Sequence, residues 1–592
     1  MNKQQCDILL SIIYNPNSTQ RELVEYSGHS LGIVNRCVNE LMQEGYINNQ
    51  MQPTEAATKY INERKPQNAI ILAAGYGMRM VPINTEIPKG LLQVKEEILI
   101  ERIIRQLHES GIKEIHIIVG FMKEKYEYLI DKYGVNLIVN AEYATKNNLH
   151  SLSKAVKYIS NTYIVPCDIW CKNNPFSARE LYSWYMISEQ EKIGAAVRVN
   201  RKMEIVSTND GESGNTEIGI SYIDRFMATD IKNKIIELCG DRMYDNAFWE
   251  TILWTGKKMS VWAKLVGEAD AIEINTYEQL REFDSNSNHL KAEAILVAAE
   301  ALKTIPEEII NITVLKKGMT NRSFLFTCKE KQYIMRIPGE GTGQLINRAQ
   351  EAEVYSAIAG KGLCDDPIYI NPQNGYKITE FLNGIRVCNP LNENDLKRCM
   401  SRLKKFHDMK LIVKHEFDIF RQIEFYESLW QEKSSIYDDY EKTKEHIFSL
   451  KEYIDKQVCE KVLTHIDAVP DNFLFYDKGK GEELQLTDWE YAGMQDPHVD
   501  IAMFCIYSLY NKLQVDQLIS IYFENKCKDE TRIKIYCYIA ACGLLWSNWC
   551  EYKRNLGVEF GEYSLRQYRF AKEYYNIVQK ELEGKGSDIK NA

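Results

Sequence analysis

At 592 residues the chain exceeds one hydrophobic core, and a prior of roughly one domain per ~150 residues points to three or four. A net charge of -10 with 26% charged residues describes a soluble globular protein and weighs against a general nucleic-acid binder, which needs a clustered basic surface. Fifteen cysteines without a CxxC pair, behind an N-terminus (MNKQQCDILL) lacking signal-peptide character, predict reduced thiols in the cytoplasm. The longest apolar stretches, 292–302 and 536–549, fall short of the ~20 residues that cross a bilayer, so no membrane association is expected.

Residues 1–66 read as helical. Apolar periodicity predicts helices over 6–13, over 19–26 behind a Ser18 cap, and over 30–44, with Gly28 in the second turn and Gly45 closing the third helix. "EGYINNQMQPTEAATKYI" then supplies a hairpin and a last helix. That order resembles a small α(+β) winged helix-turn-helix. Six basic against seven acidic side chains leave a net charge of -1, a poor match for a phosphate backbone. DNA binding stays open, and homodimerisation or docking through the same fold is an equal alternative.

From 67 to 286 strand-like and helical runs alternate, which predicts an α/β doubly wound, mainly parallel, Rossmann-like sheet. "LIERIIRQLHESG" carries Leu99, Ile100, Ile103, Ile104 and Leu107 on one face and stops at Gly111. Ligands on such sheets sit at the carboxyl ends of strands, where "LAAGYGMRM" lies. Backbone freed by Gly75 and Gly77, after Leu72, Ala73 and Ala74, can approach a triphosphate closely. Arg79 and Lys89 can neutralise its oxygens.

The run "LAAGYGMRMVPINTEIPKGLLQV" resembles the nucleotidyltransferase family with the pattern LAAGxGxRxxPxTxxxPKxLxxV. Within it the chain is most similar to the bacterial CTP:phosphocholine cytidylyltransferases, through "IIVGFMKEKYEYLIDKYGVNLIVN", "NNLHSL" and "TYIVPCDIW". The resemblance implies attack by a phosphocholine oxygen on the α-phosphorus of CTP, with Lys89 and Arg79 carrying the developing charge. It also implies Mg²⁺ on Asp168, Glu273 and Asn275. Asn275 departs from the family's aspartate and removes a negative charge from that set. "NRKMEIVSTNDGESGNTEIG" holds no aromatic residue for boxing a quaternary ammonium, which leaves Tyr222, Phe248 and Trp249 as substitutes.

After the polar break "DSNSNH", residues 287–592 open with a helix and strand-like segments and turn mostly helical after about 390, an α+β two-lobed pattern. "LTHIDAVPDNFLF" sets His465, Asp467 and Asn472 in HxDxxxxN, and Asp488 follows in "LTDWEYAG". Phosphoryl transfer needs a base at the attacking hydroxyl and metal ligands beside it; Asp467 fits the first, and Asn472 and Asp488 fit Mg²⁺. "KKGMTNRSFLF" offers a glycine-containing turn over ATP, and Glu351 a partner for Arg336 of "YIMRIPG".

These segments resemble the choline and ethanolamine kinase family, related to the aminoglycoside phosphotransferases. By that resemblance Asp500 and His465 support the catalytic loop. In "CGLLWSNWCEYKR", Trp546 and Trp549 share one helix face. The family's equivalent helix boxes a quaternary ammonium, with Trp489, Tyr563 and Tyr568 available to close the box.

The expected function is bifunctional choline activation: ATP and choline give phosphocholine, and phosphocholine and CTP give CDP-choline, destined for bacterial surface glycans. Two other readings stand. One is a sugar-phosphate nucleotidyltransferase fused to a small-alcohol or sugar kinase; the other is a choline-responsive transcription regulator with a decayed transferase domain.

Overall fold

A computed structural model describes the chain except for residues 316–320, 340–344, 365, 431–433, 459, 478, 480, 556–559 and 589–592. It divides into two compact units, Met1–Ile295 and Leu296–Ala592, the division falling within the helix Glu293–Ala301. The glycine turn expected at "KKGMT" lies outside the described residues.

The first unit begins with helices Lys3–Tyr14, Gln20–Ser27, Leu31–Gln43 and Glu55–Glu63. The second is capped by Thr19 rather than Ser18: the Thr19 hydroxyl accepts from the Glu22 amide, while Ser18 turns back to the Asn15 carbonyl. Thr19 and Glu22 form a reciprocal capping box, which outcompetes a single cap one residue earlier. Ile47 and Pro53 make an antiparallel bridge, the wing. The core of these helices extends into Leu181 and Tyr182, and the Tyr182 hydroxyl donates to Asp7 at 2.7 Å.

Strand Asn68–Ala73 lies inside a ten-stranded sheet, third from one edge, parallel to Glu114–Val119 on one side and Thr162–Pro166 on the other. Beyond Thr162–Pro166 the next neighbour, Ser213–Ile223, is antiparallel. The sheet is therefore mixed rather than mainly parallel: helices cross over on the Asn68 side, while long hairpins build the other half. Helix Leu99–Glu109 buries the five apolar residues expected from its periodicity, and Gly111 turns the chain out at φ +80°. The short strand Ile169–Cys171 pairs antiparallel with Ala271–Glu273, which brings together segments a hundred positions apart.

The second unit opens with a five-stranded sheet that includes Asn321–Cys328, Lys331–Pro338 and Lys377–Glu380. A helical lobe follows, centred on the buried helix Asp529–Asn555 packed against Glu562–Asp588. Between them lie the hairpin Phe473–Asp477 and Glu482–Leu486 and the pair Val462–Thr464 with Gly493–Gln495. No helix among the described residues is long and apolar enough to cross a membrane, and none of the described cysteines is disulfide-bonded.

Candidate functional sites

In the first unit the glycine loop leaves strand Asn68–Ala73 at its carboxyl end. Gly77 adopts φ +60°, a left-handed conformation that favours glycine, while a Cβ on Gly75 would meet no protein atom within 4 Å. The protein's own packing does not require glycine at 75, so space is left there for something else. Lys89 donates to Asp168 and, at 2.6 Å, to the Asn275 amide oxygen; Arg79 donates to the same oxygen at 2.8 Å. Asp168 immediately precedes one strand of the short pair and Glu273 ends the other, and the Ile274 amide donates to the Asp168 carbonyl at 3.0 Å. The fold thus gathers Arg79, Lys89, Asp168, Glu273 and Asn275 at one strand end, beside Leu72, Ala73 and Ala74.

Burial, and then the charge of Asp168, raise the Glu273 carboxyl above its ordinary range. Asn275, Lys89 and Arg79 offset part of that effect, and two neighbouring carboxylates of this kind are oxygen donors suited to a divalent cation. The Asn275 oxygen is different, since two cationic side chains already occupy it.

Sequence reasoning missed the next cluster. Glu250 is pushed up to about 8 by burial, with Glu217 and Glu273 adding like charge, and the Tyr185 hydroxyl donates to it at 3.2 Å. Its second oxygen is buried without a partner. Glu217 is raised as well, by burial and by Glu273. These carboxylates come from a strand, a 3₁₀ turn and a strand end, so no contiguous motif announces them. The aromatic substitutes lie elsewhere: Tyr222 and Trp249 are fully buried in the core, and Phe248 is exposed.

In the second unit His465 and Ile466 are fixed from one side by Asp500, whose two oxygens accept their amides at 3.0 and 2.7 Å. Ile466 sits at φ +70° and Asp488 at φ +65°, conformations that cost about 1–3 kcal/mol each and persist only when surroundings enforce them. His407 also contacts Asp500, at 2.9 Å, and the His465 ring meets the Thr487 carbonyl at 2.9 Å. Asn472 donates to the Asp467 carboxylate at 3.1 Å and to its carbonyl at 2.8 Å.

Asp467 is pushed up to about 8, first by burial and then by Asp488 and Glu490. Beside it, Asn472 and Asp488 offer an amide oxygen and a carboxylate, hard-oxygen donors suited to Mg²⁺. Among the described residues, no group of three His, Cys, Asp or Glu side chains forms a metal cluster.

Arg336 and Glu351 form a bidentate pair at 2.5 and 2.8 Å, both buried. Arg348 adds contacts to Glu351 at 2.9 Å and to Glu490 at 3.2 Å. The network ties the sheet, helix Arg348–Ile358 and the segment after Asp488 to one another. Neither Arg348 nor Glu490 was singled out from the sequence.

Trp546 and Trp549 lie 5.4 Å apart, centroid to centroid, and Trp546 meets Tyr491 at 5.8 Å. Trp549 meets Phe560 at 5.2 Å, and Tyr563 lies beyond it at 6.5 Å. The Asp467 charge reaches Tyr491 and Tyr563, so this aromatic wall stands beside the catalytic loop. Two expected members are not in it. Trp489 is fully buried under the loop against His465 and Phe406, its indole nitrogen donating to the Leu486 carbonyl. Tyr568 stacks on Tyr437 at 3.8 Å, and its hydroxyl donates to Asp439 at 2.8 Å with the Thr443 hydroxyl 2.9 Å away.

Comparison with known proteins accounts for all three regions. A winged helix-turn-helix DNA-binding model matches residues 1–48, a MobA-like NTP transferase domain model 69–203, and a choline/ethanolamine kinase model 312–542. A choline-phosphate cytidylyltransferase of Streptococcus pneumoniae is 31% identical over 37% of this chain and 99% of its own length. Protein LicA of Haemophilus influenzae is 28% identical over 42% of this chain and 96% of its own length. A 2-aminoethylphosphonate cytidylyltransferase of Lancefieldella rimae is 28% identical over 33% of this chain and 83% of its own.

Proposed function

The chain belongs to the choline-phosphate cytidylyltransferase family, and from that premise we propose that it activates choline in two consecutive steps. The second unit transfers the γ-phosphoryl group of ATP to choline. The first joins the resulting phosphocholine to the cytidylyl group of CTP and releases pyrophosphate.

The observation that carries this reading is the opposite chemistry of the two sites. A choline hydroxyl is a poor nucleophile, and the kinase site supplies a base: Asp467, raised to about 8, can take or steer the proton at neutral pH. The phosphate of phosphocholine is already ionised, with a second pKa near ~6, so its oxygen needs no base. The transferase site presents Lys89 and Arg79 to the charge that grows on the α-phosphate.

Both sites receive a quaternary ammonium, and each meets it differently. In the kinase the rings of Trp546, Trp549 and Tyr491 face a cation that has no N–H to donate in a hydrogen bond. In the transferase, the carboxyls of Glu217 and Glu250 lie close to Glu273, and they carry negative charge once ionised. Mg²⁺, held by Asn472 and Asp488 in one site and by Asp168 and Glu273 in the other, would neutralise phosphate oxygens.

The winged helix acts in docking rather than DNA binding. Its third helix carries one arginine, Arg36, already engaged by Gln4 and Glu40, and Asp7 is bound by Tyr182 of the transferase. The reactions take place in the cytoplasm, and the CDP-choline serves phosphocholine decoration of surface glycans.

The test separates acceptors. Pyrophosphate release from CTP is followed with phosphocholine, 2-aminoethylphosphonate and glucose 1-phosphate, and ADP release from ATP with choline and ethanolamine. Phosphocholine and choline should give the highest kcat/KM; preference for glucose 1-phosphate would overturn the transferase assignment.

A further inference from the structure

Lys553 lies one turn beyond Trp549 on the helix Asp529–Asn555. Its ammonium sits over the Trp549 ring, 5.6 Å from the centroid, and the residue is only 7% exposed. Lysine is almost never buried to this degree without a partner. Yet among the described residues no carboxylate lies within ion-pair distance of Lys553, and no acceptor within hydrogen-bonding distance. Glu490 is the opposing charge that reaches it, and Glu490 is itself claimed by Arg336 and Arg348. Burial accordingly lowers the lysine's pKa. The Trp549 indole nitrogen is buried without a partner. A cation thus already stands at the ring face that the substrate's ammonium would use.

We propose that Lys553 is an internal occupant of the aromatic cation site, a specificity-determining residue whose ammonium competes with choline for the face of Trp549. This rests on the assignment of that site to choline. When choline enters, its trimethylammonium takes the ring face and the lysine side chain swings out toward water. The site stays assembled around a cation in the absence of substrate, and choline binds more weakly than the rings alone would allow, because like charge must first be displaced. Moving one ammonium off a ring face is within reach of a flexible four-carbon side chain.

The experiment compares Lys553→Met, Lys553→Arg and Trp549→Ala in the full chain, reading choline KM at saturating ATP and choline-induced change in tryptophan fluorescence. Lys553→Met keeps the stem and removes the charge; it should bind choline about fivefold more tightly, whereas Lys553→Arg should match the wild type. Circular dichroism checks folding, and Lys553→Gln replaces the methionine variant if that one does not fold. Choline affinity unchanged or weakened in the neutral variant, with Trp549→Ala still raising KM, would overturn the competitor role while leaving the site assignment standing. An unchanged KM in Trp549→Ala would overturn both.

Discussion

In the first unit the reactive charge is met by two side chains of one continuous loop, Arg79 and Lys89, which converge on Asn275 from the far end of the domain. In the second, the cations Arg336 and Arg348 are locked into carboxylates, and the reactive group is a buried acid, Asp467, held by a strained loop. The difference follows from the nucleophile. An ionised phosphate needs electrostatic complementarity to its transition state, whereas an alcohol must also give up a proton, and burial and like charge make the Asp467 carboxylate a stronger proton acceptor.

The contrast can be broken at its strongest point first. Asp467→Asn should lower phosphocholine formation about 10³-fold while CDP-choline formation from supplied phosphocholine continues; equal loss of both activities would mean the two sites are not independent. Lys89→Ala should do the converse, lowering cytidylyl transfer by roughly 10² to 10³ with choline phosphorylation retained. Separate assays of ADP and pyrophosphate release measure both.

Smaller effects distinguish the two modes of cation recognition. Trp549→Ala should raise choline KM about tenfold and leave phosphocholine KM unaltered. Glu250→Gln should raise phosphocholine KM by a similar factor, roughly tenfold, and leave choline alone.

Glu250 also predicts a pH dependence. Its pKa in the substrate-free fold is raised to about 8, so the carboxylate that attracts the cation forms only as pH rises. Phosphocholine affinity should therefore strengthen by up to about tenfold per pH unit between 6 and 8 and level off above. In Glu250→Gln this slope should flatten. The linked stability runs the other way. A raised carboxyl pKa favours the fold fully below the unfolded value, and that contribution is lost as pH rises through about 8. The wild type should lose more thermal stability than Glu250→Gln on going from pH 6 to pH 8.5.

The smallest effect belongs to Asn275→Asp. A carboxylate at this position should lower the Mg²⁺ concentration for half-maximal cytidylyl transfer about threefold.

What could be read from the sequence was what lies close together in it. The loop from Leu72 to Lys89 and the HxDxxxxN segment each occupy one short stretch, so residue type and spacing pointed to phosphate chemistry, whereas the Trp546/Trp549 pair was singled out by the family resemblance. The helix Leu99–Glu109 was legible because its apolar residues repeat at the helical period.

Glu217, Glu250 and Glu490 were not legible. Each is an ordinary acidic residue in sequence, and becomes distinctive only when sheet pairing and helix packing bury it against like charge. Trp489 and Tyr568 illustrate the converse. Large aromatics near a site fill cores as readily as they line pockets, and periodicity does not tell the two apart. The antiparallel half of the transferase sheet was hidden for a related reason, since a buried strand reads alike in either direction.

The most direct test is to incubate the purified full chain with choline, ATP, CTP and Mg²⁺ and follow phosphorus NMR in time. The expected result is a phosphocholine signal that rises and is then consumed as CDP-choline and pyrophosphate appear together. Phosphocholine that accumulates while CTP stays intact would contradict the two-step reading.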